Sequence, residues 1–306
     1  MRYWLGVTDN RWYQFVSAGR FSEVNFWQPS AKPPFSSEVP EGTPFLFKLK
    51  SPNHHIAGGG YFVRHIRLPL ITAWEVFGEQ NGANSLSEFH RLIATNRTSS
   101  ATTDAEIGCT VVTDVFFLPQ TRWIPVADRF ARSIMVGKFY NTADSSLSQE
   151  LWEEVQAARD AAGVAELSPL EQPRYGRSFL AKARLGQGSF RTLVIDAYHR
   201  RCAVTGENTL PALEAAHIRP YAEQGPHEVG NGLLLRSDFH KLFDAGLVTV
   251  EPDHKIHISG RIRDQYFNGK AYYRLHGQHL ATLPRDQQDH PNAEFLRWHN
   301  NERFVA

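Results

Sequence analysis

The stretch Leu213–Asp244, LEAAHIRPYAEQGPHEVGNGLLLRSDFHKLFD, places His217 after a short apolar run, Asn231 14 positions later and His240 nine beyond that. Its pattern reads as strand (LEAAHI), turn-rich loop (RPYAEQGPHEVGNG), strand (LLL) and short helix (SDFHKLFDAG). Ser237 or Asp238 is placed to cap that helix and Gly246 to end it. Residues four apart share a helix face, so His240 and Asp244 form one presented pair. Strand alternation puts Glu214 on the face of Ala216, one pleat from the position before His217.

With 306 residues the chain has room for two domains. Hydrophobic content of 42% and charged content of 21% describe a globular protein. No apolar run reaches the roughly 20 residues that span a bilayer, so no membrane partner is expected. The opening MRYWLGVTDNRW has polar residues where a signal peptide would continue its apolar stretch, and the expected location is the cytoplasm. Two cysteines, Cys109 and Cys202, make neither a disulfide framework nor a structural zinc site, so no zinc is expected.

The net charge of +1 is uninformative, but its distribution is not. Between Asn141 and Glu171 seven acidic residues face one basic residue, Arg159. Between Arg174 and Arg201 seven basic residues face only Asp196. Within that block Arg174, Arg177, Lys182, Arg184 and Arg191 are placed to track a phosphate backbone. Read as a plain composition signal, the same block is a solvated charged face.

The residue types around His217 suit hydrolysis of a phosphodiester. A water must be deprotonated, and imidazole titrates near working pH. The base works best when a partner holds its ring, which an amide does without adding charge. The leaving oxygen needs a cation, and ligands on a rigid helix face can hold one. With an ordinary imidazole pKa, cleavage would fall below about pH 6 to 6.5.

In this wording, LEAAHI…NGLLLRSDFHKLFD, the stretch resembles the HNH nuclease family, in the branch found in bacterial restriction-type enzymes. The resemblance implies a ββα-metal unit in which His217 is the general base, Asn231 orients it and His240 binds a single Mg²⁺ or Mn²⁺. Many relatives carry Asp or His just before the first histidine, where this chain has Ala216. Glu214 and Asp244 are therefore the candidate co-ligands. RCAVTG retains Cys202 without the paired cysteines that hold zinc in other relatives. His227, within the loop, is placed to touch phosphate.

The first part of the chain reads as short strands: RYWLGV, EVNFWQP, TPFLFKLK, a long HIAGGGYFVRHI and IGCTVVTDVFFLP. LITAWEVFG and SLSEFHRLIATN have helical spacing, and Ser85 with Glu88 suggests a capping box. Gly58–Gly60 suits a bulge or a close backbone approach. The segment is rich in aromatic residues, most of them core, but NFWQPS combines an aromatic face with amides and a hydroxyl. Asn25, Trp27, Gln28, Ser30 and Trp12 form a candidate pocket that stacks a base and reads its edge.

In this order of elements the segment resembles the PUA-like superfamily, in particular EVE-type barrels, whose members hold a flipped, modified base. Joined to an HNH unit, the layout resembles modification-dependent restriction endonucleases acting on 5-methylcytosine or 5-hydroxymethylcytosine in double-stranded DNA. The expected class is α+β, with a PUA-like small β-barrel with helical inserts followed by the nuclease unit. The expected boundaries are 1–140 for the reader, 141–173 for an acidic helix and linker, and 174–306 for the nuclease domain. Because one ββα unit grips one strand, a homodimer is expected. The competing readings are an HNH nuclease directed to unmodified or phosphorothioate DNA, and a modified-DNA binding protein that has lost cleavage.

Overall fold

A computed structural model describes residues 1–35, 38–97, 105–131, 134–162, 180 and 185–306. Gly163, the linker VAELSPLEQPRYG and the basic residues Arg174, Arg177, Lys182 and Arg184 lie outside them. The chain forms two compact units, Met1–Ser189 and Phe190–Ala306, and its class is α+β.

The first unit is built on one seven-stranded sheet. Its strands are β1 (Arg2–Thr8), β2 (Glu23–Gln28), β3 (Pro44–Leu49), β4 (His55–Pro69), β5 (Glu106–Phe117), β6 (Ile124–Pro125) and β7 (Gly137–Asn141). The order is β2-β5-β4-β3-β1-β7, with β6 against β4. β1 runs parallel to β3, and the other pairs are antiparallel.

Strand alternation sorts the side chains into two cores, one on each face. On β1, Tyr3 and Leu5 join Leu46, Ile56 and Phe116, while Trp4 joins Phe45, Phe47 and Val112. Helix α1 (Asn10–Gly19) covers the second cluster with Trp12, Tyr13 and Val16. α4 (Ser146–Ala161) covers the first with Leu151 and Val155. Most of the aromatic wealth of this segment is consumed in these cores.

Two shorter helices, α2 (Leu70–Phe77) and α3 (Leu86–Thr95), follow β4. The Ser85 hydroxyl caps α3 by accepting from the Glu88 N–H. The Glu88 carboxylate accepts from the backbone and side-chain nitrogens of Asn84, one residue further back than a capping box requires. The triple glycine does both things its sequence suggests. The β3–β4 and β4–β5 registers shift around it. A Cβ on Gly58 would sit 2.3 Å from the Phe116 carbonyl oxygen, and one on Gly59 2.6 Å from that of Phe45.

The second unit holds most of α5 (Gln187–Ala197), the hairpin β8 (Leu213–His217) and β9 (Gly232–Arg236), and α6 (Ser237–Asp244). A second hairpin, β10 (Val248–Val250) with β11 (Ile256–Ile258), then leads to α7 (Arg261–Tyr266), α8 (Lys270–Tyr273) and α9 (Ala293–Glu302). Phe190, Leu193 and Val194 of α5 are buried, and Ile195 and Tyr198 are buried with them.

The start of β9 lies so close beneath α5 that a Cβ on Gly232 would fall 2.5 Å from Val194. Buried Cys202 ties the preceding turn to β9, its sulfur accepting from the N–H groups of Thr205 and Arg236. One expectation fails at α6: neither Ser237 nor Asp238 caps it. The N-cap position is Arg236, without a side-chain cap. The Ser237 hydroxyl donates to the Ala212 carbonyl, and Asp238 makes a two-point ion pair with Arg236 at 2.7 Å. Both side chains are claimed by partners outside the helix. Gly246, at φ +70°, ends the turn after α6 as expected.

Gly58→Ala drives a methyl group into a backbone oxygen that cannot retreat. The expected cost is about 1–3 kcal/mol of stability, read as a lowered midpoint in thermal unfolding followed by circular dichroism.

Candidate active site

β8 and β9 pair antiparallel, with Leu213 opposite Arg236 and His217 opposite Gly232. The chain then enters α6, whose Phe239 and Phe243 are buried. His240, one residue after Phe239, faces the hairpin, where its Nδ1 lies 2.6 Å from Oε2 of Glu214. Asp244, one turn on, lies 3.4 Å from Nε2 of the same ring.

Asn231 is fully buried, and its side chain satisfies three partners. Its Oδ1 accepts from the Arg219 N–H, and its Nδ2 donates to the carbonyls of Arg219 and Pro226, all at 2.9 Å. The Asn231 carbonyl also accepts from the Ile218 N–H at 2.9 Å. The residue acts on the backbone next to His217, closing the loop between the strands. Gly225 shares this tightness, since a Cβ there would meet the Arg219 oxygen at 1.8 Å.

The His217 ring is held from two sides. Phe190 of α5 stacks on it with centroids 3.8 Å apart and planes at 12°. His227, from the loop, lies with its Nδ1 3.0 Å from Nε2 of His217. His227 in turn stacks on Tyr221 at 4.8 Å. Burial first, then the neighbouring His227 and His240, lower the His217 pKa to about 4. An ordinary imidazole pKa, assumed from sequence, is therefore corrected downward: His217 stays neutral well into acid.

Burial works to raise the Glu214 pKa, but hydrogen bonding and charge from His240, a bond from Ser237 and the charge of Arg191 outweigh it. The net shift is down, so Glu214 is an anion here. Arg191, read from sequence as a backbone contact, thus lies within electrostatic reach of the site.

An imidazole and carboxylates suit a hard divalent ion such as Mg²⁺ or Mn²⁺. The three expected ligands are not arranged as one set, because Glu214 is at one nitrogen of His240 and Asp244 at the other. Among the described residues no group of three or more His, Cys, Asp or Glu side chains gathers on one point. Two ligands at right angles on one small ion lie about 3 Å apart. The spacing of Nε2 and Asp244 leaves that room, whereas the contact of Nδ1 with Glu214 is a hydrogen bond.

In the first unit, Trp12, Trp27, Gln28 and Ser30 line a cavity of about 510 Å³. Asn25 does not; it is fully buried and its Nδ2 donates to Oδ1 of Asn81. Asp9, Lys50, Asn96 and Arg97 also line the cavity. Asp9 caps α1 by accepting from the N–H groups of Arg11 and Trp12, so its residue type before NRWYQF is a local signal that could have found it. The others come from distant segments and carry no local signal. In the second unit, sequence reasoning missed Phe190 and Tyr221, whose ring stacking depends wholly on tertiary packing.

A hairpin and helix presenting a neutral imidazole on one arm and an imidazole–carboxylate pair on the other is the ββα nuclease arrangement. Residues 202–251 match the HNH endonuclease family, so the chain carries an HNH nuclease domain there. No curated protein sequence matches the chain.

Among solved structures the chain is similar to the ASCH protein of Zymomonas mobilis at 11% identity, covering 49% of this chain and 94% of that one, with a TM-score of 0.35. It is also similar to the modification-dependent TagI restriction endonuclease at 13% identity, covering 92% of this chain and 75% of that one, with a TM-score of 0.28.

Asn231→Ala strands the Arg219 N–H and two carbonyls. The expected loss is about 1–3 kcal/mol in thermal unfolding, with DNA cleavage falling in parallel. Asn231→Asp is expected to do no better, because its second oxygen would face the carbonyls of Arg219 and Pro226.

The buried histidines also set an acid limit on folding. Burial lowers the pKa values of His217 and His299 to about 4, and His65 in the first unit behaves alike. Between the ordinary value near 6.5 and about 4 the unfolded chain binds more protons. Stability is therefore expected to be present above about pH 6.5 and to decline as pH falls towards 4, which urea midpoints across that range will show.

Proposed function

We propose that this chain is a DNA endonuclease in which the first unit, as a PUA-like reader, selects 5-methylcytosine or 5-hydroxymethylcytosine and the HNH unit cuts the duplex. The observation that carries the nuclease reading is the neutral, clamped His217 within electrostatic reach of His240, whose two ring nitrogens face Glu214 and Asp244. His217 takes the proton from the attacking water. Asn231 sets the backbone that aims it.

Glu214 accepts from Nδ1–H of His240, which fixes the tautomer and leaves the Nε2 lone pair outward. His240 and Asp244 would then hold one Mg²⁺ or Mn²⁺, which when bound supplies positive charge to the leaving oxygen. Glu214 acts behind the ligand and not as a ligand. Arg191, with the basic residues Arg174, Arg177, Lys182 and Arg184, would follow the backbone phosphates.

The reader proposal rests on the cavity of the first unit. Its 510 Å³ suits a flipped base, and Trp12 and Trp27 offer stacking surfaces beside the polar edges of Gln28 and Ser30. A methyl group filling an apolar slot adds on the order of 1 kcal/mol, about a fivefold preference. Sharper choice needs two readers, and a duplex cut needs two nuclease units, so the proposed assembly is a homodimer.

The test is digestion of one plasmid in unmodified, methylated and hydroxymethylated forms, with Mn²⁺ present. Cleavage confined to the modified forms is the expected result, and equal cleavage of all three would reject the reader. His217→Ala is expected to abolish cleavage while DNA binding survives. In the parent enzyme the acid limb of the rate is expected near pH 4. Trp27→Ala should remove a stacking surface worth about 1–3 kcal/mol, weakening binding to modified DNA by about 5- to 150-fold in titrations.

A further inference from the structure

The loop between β8 and β9 contributes a second imidazole to the site, at a position the three-residue motif does not include. His227 lies with its Nδ1 3.0 Å from Nε2 of His217. Two imidazoles at that distance share one proton, so one nitrogen donates and the other accepts. Phe190 stacked on the His217 ring leaves it little freedom to turn away from this partner. The far side of His227 is covered by Tyr221, stacked at 4.8 Å and 10°, and Tyr221 itself is 69% exposed.

Resting on the nuclease reading above, the geometry points to His227 as the positioning residue and proton acceptor behind the base. Before reaction, Nε2–H of His217 donates to Nδ1 of His227, which leaves Nδ1 of His217 as the basic nitrogen. The water proton moves to that Nδ1 while hydroxide forms its bond to phosphorus and the bond from phosphorus to the leaving oxygen breaks. The Nε2 proton of His217 passes to Nδ1 of His227. His227 gives its own Nε2 proton to solvent, and the leaving alkoxide takes one from solvent, so charge and protons balance.

The transfer moves positive charge off His217 and onto a ring that faces the Tyr221 aromatic surface, where a cation is favoured. It also gives the loop its chemical purpose. Asn231 bonds the carbonyl of Pro226, the residue immediately before His227, and so places this imidazole as well as the strand end.

Single-turnover cleavage with enzyme in saturating excess over plasmid, together with DNA binding and thermal unfolding, tests this with four full-length proteins: the parent, H217A, H227F and H227N. Phenylalanine keeps the ring and its stacking on Tyr221 but has no nitrogen, and asparagine keeps an acceptor near Nδ1. H227F is expected to cut about 100-fold more slowly with unchanged DNA affinity, and H227N to recover about tenfold of that loss. An H227F protein cutting at the parental rate would show that His227 only packs. A loss of binding that accounts for the slower cutting would make His227 a phosphate contact. Either result overturns the inference. Should H227F fail to fold, the H227N rate alone decides: equality with the parent overturns the inference, and a loss with intact binding supports it. Cleavage surviving in H217A would instead remove His217 as the base, and a parent protein that cuts no DNA would sink the nuclease reading itself.

Discussion

The buried amide of Asn231 makes three hydrogen bonds that close a loop whose ends would otherwise be free to separate. An amide is suited to this task because it offers a donor and an acceptor with no charge to desolvate. The loop it closes returns the chain to β9 in register with β8, so that His217 stands opposite Gly232. From that register follows the position of α6 and hence the approach of His240 to Glu214. Removing the amide leaves unpaired groups in the interior, which costs more than the bonds themselves contribute.

Burial is the second constraint, and it has a chemical consequence. The stacking of Phe190 and the enclosure of the β8 end take water away from His217, and an imidazole without water resists charging. The same loss of solvent that costs stability in acid keeps the imidazole neutral and able to accept a proton. Glu214 shows the opposite balance: its burial is outweighed by donors and positive charge, so it stays an anion beside His240. Two groups three residues apart on one strand are thus held in opposite states by their surroundings.

The two units solve separate packing problems. The first covers a single sheet on both faces, which consumes most of its aromatic residues and leaves only a few around the 510 Å³ cavity. Asn25 illustrates the cost of reading such a segment by composition. It stands two residues from Trp27 in the same strand, yet it is sealed inside by Asn81 while Trp27 reaches the cavity.

Local pattern alone determined strands β1–β5, β8 and β9, the α4 and α6 helices, the use of Gly58–Gly60 for close approach, and the placing of His217, Asn231 and His240 around one hairpin and its helix. These are legible because period, turn chemistry and motif spacing are properties of neighbours in sequence. Only the tertiary structure decided that Asn231 works through backbone groups, that Glu214 and Asp244 take opposite nitrogens of His240, and that His227 joins His217. It also set the His217 pKa and claimed Ser237 and Asp238 away from capping. Each of these depends on distances between segments far apart in the chain, where contact geometry and exclusion of water, and not the order of residues, set the energies.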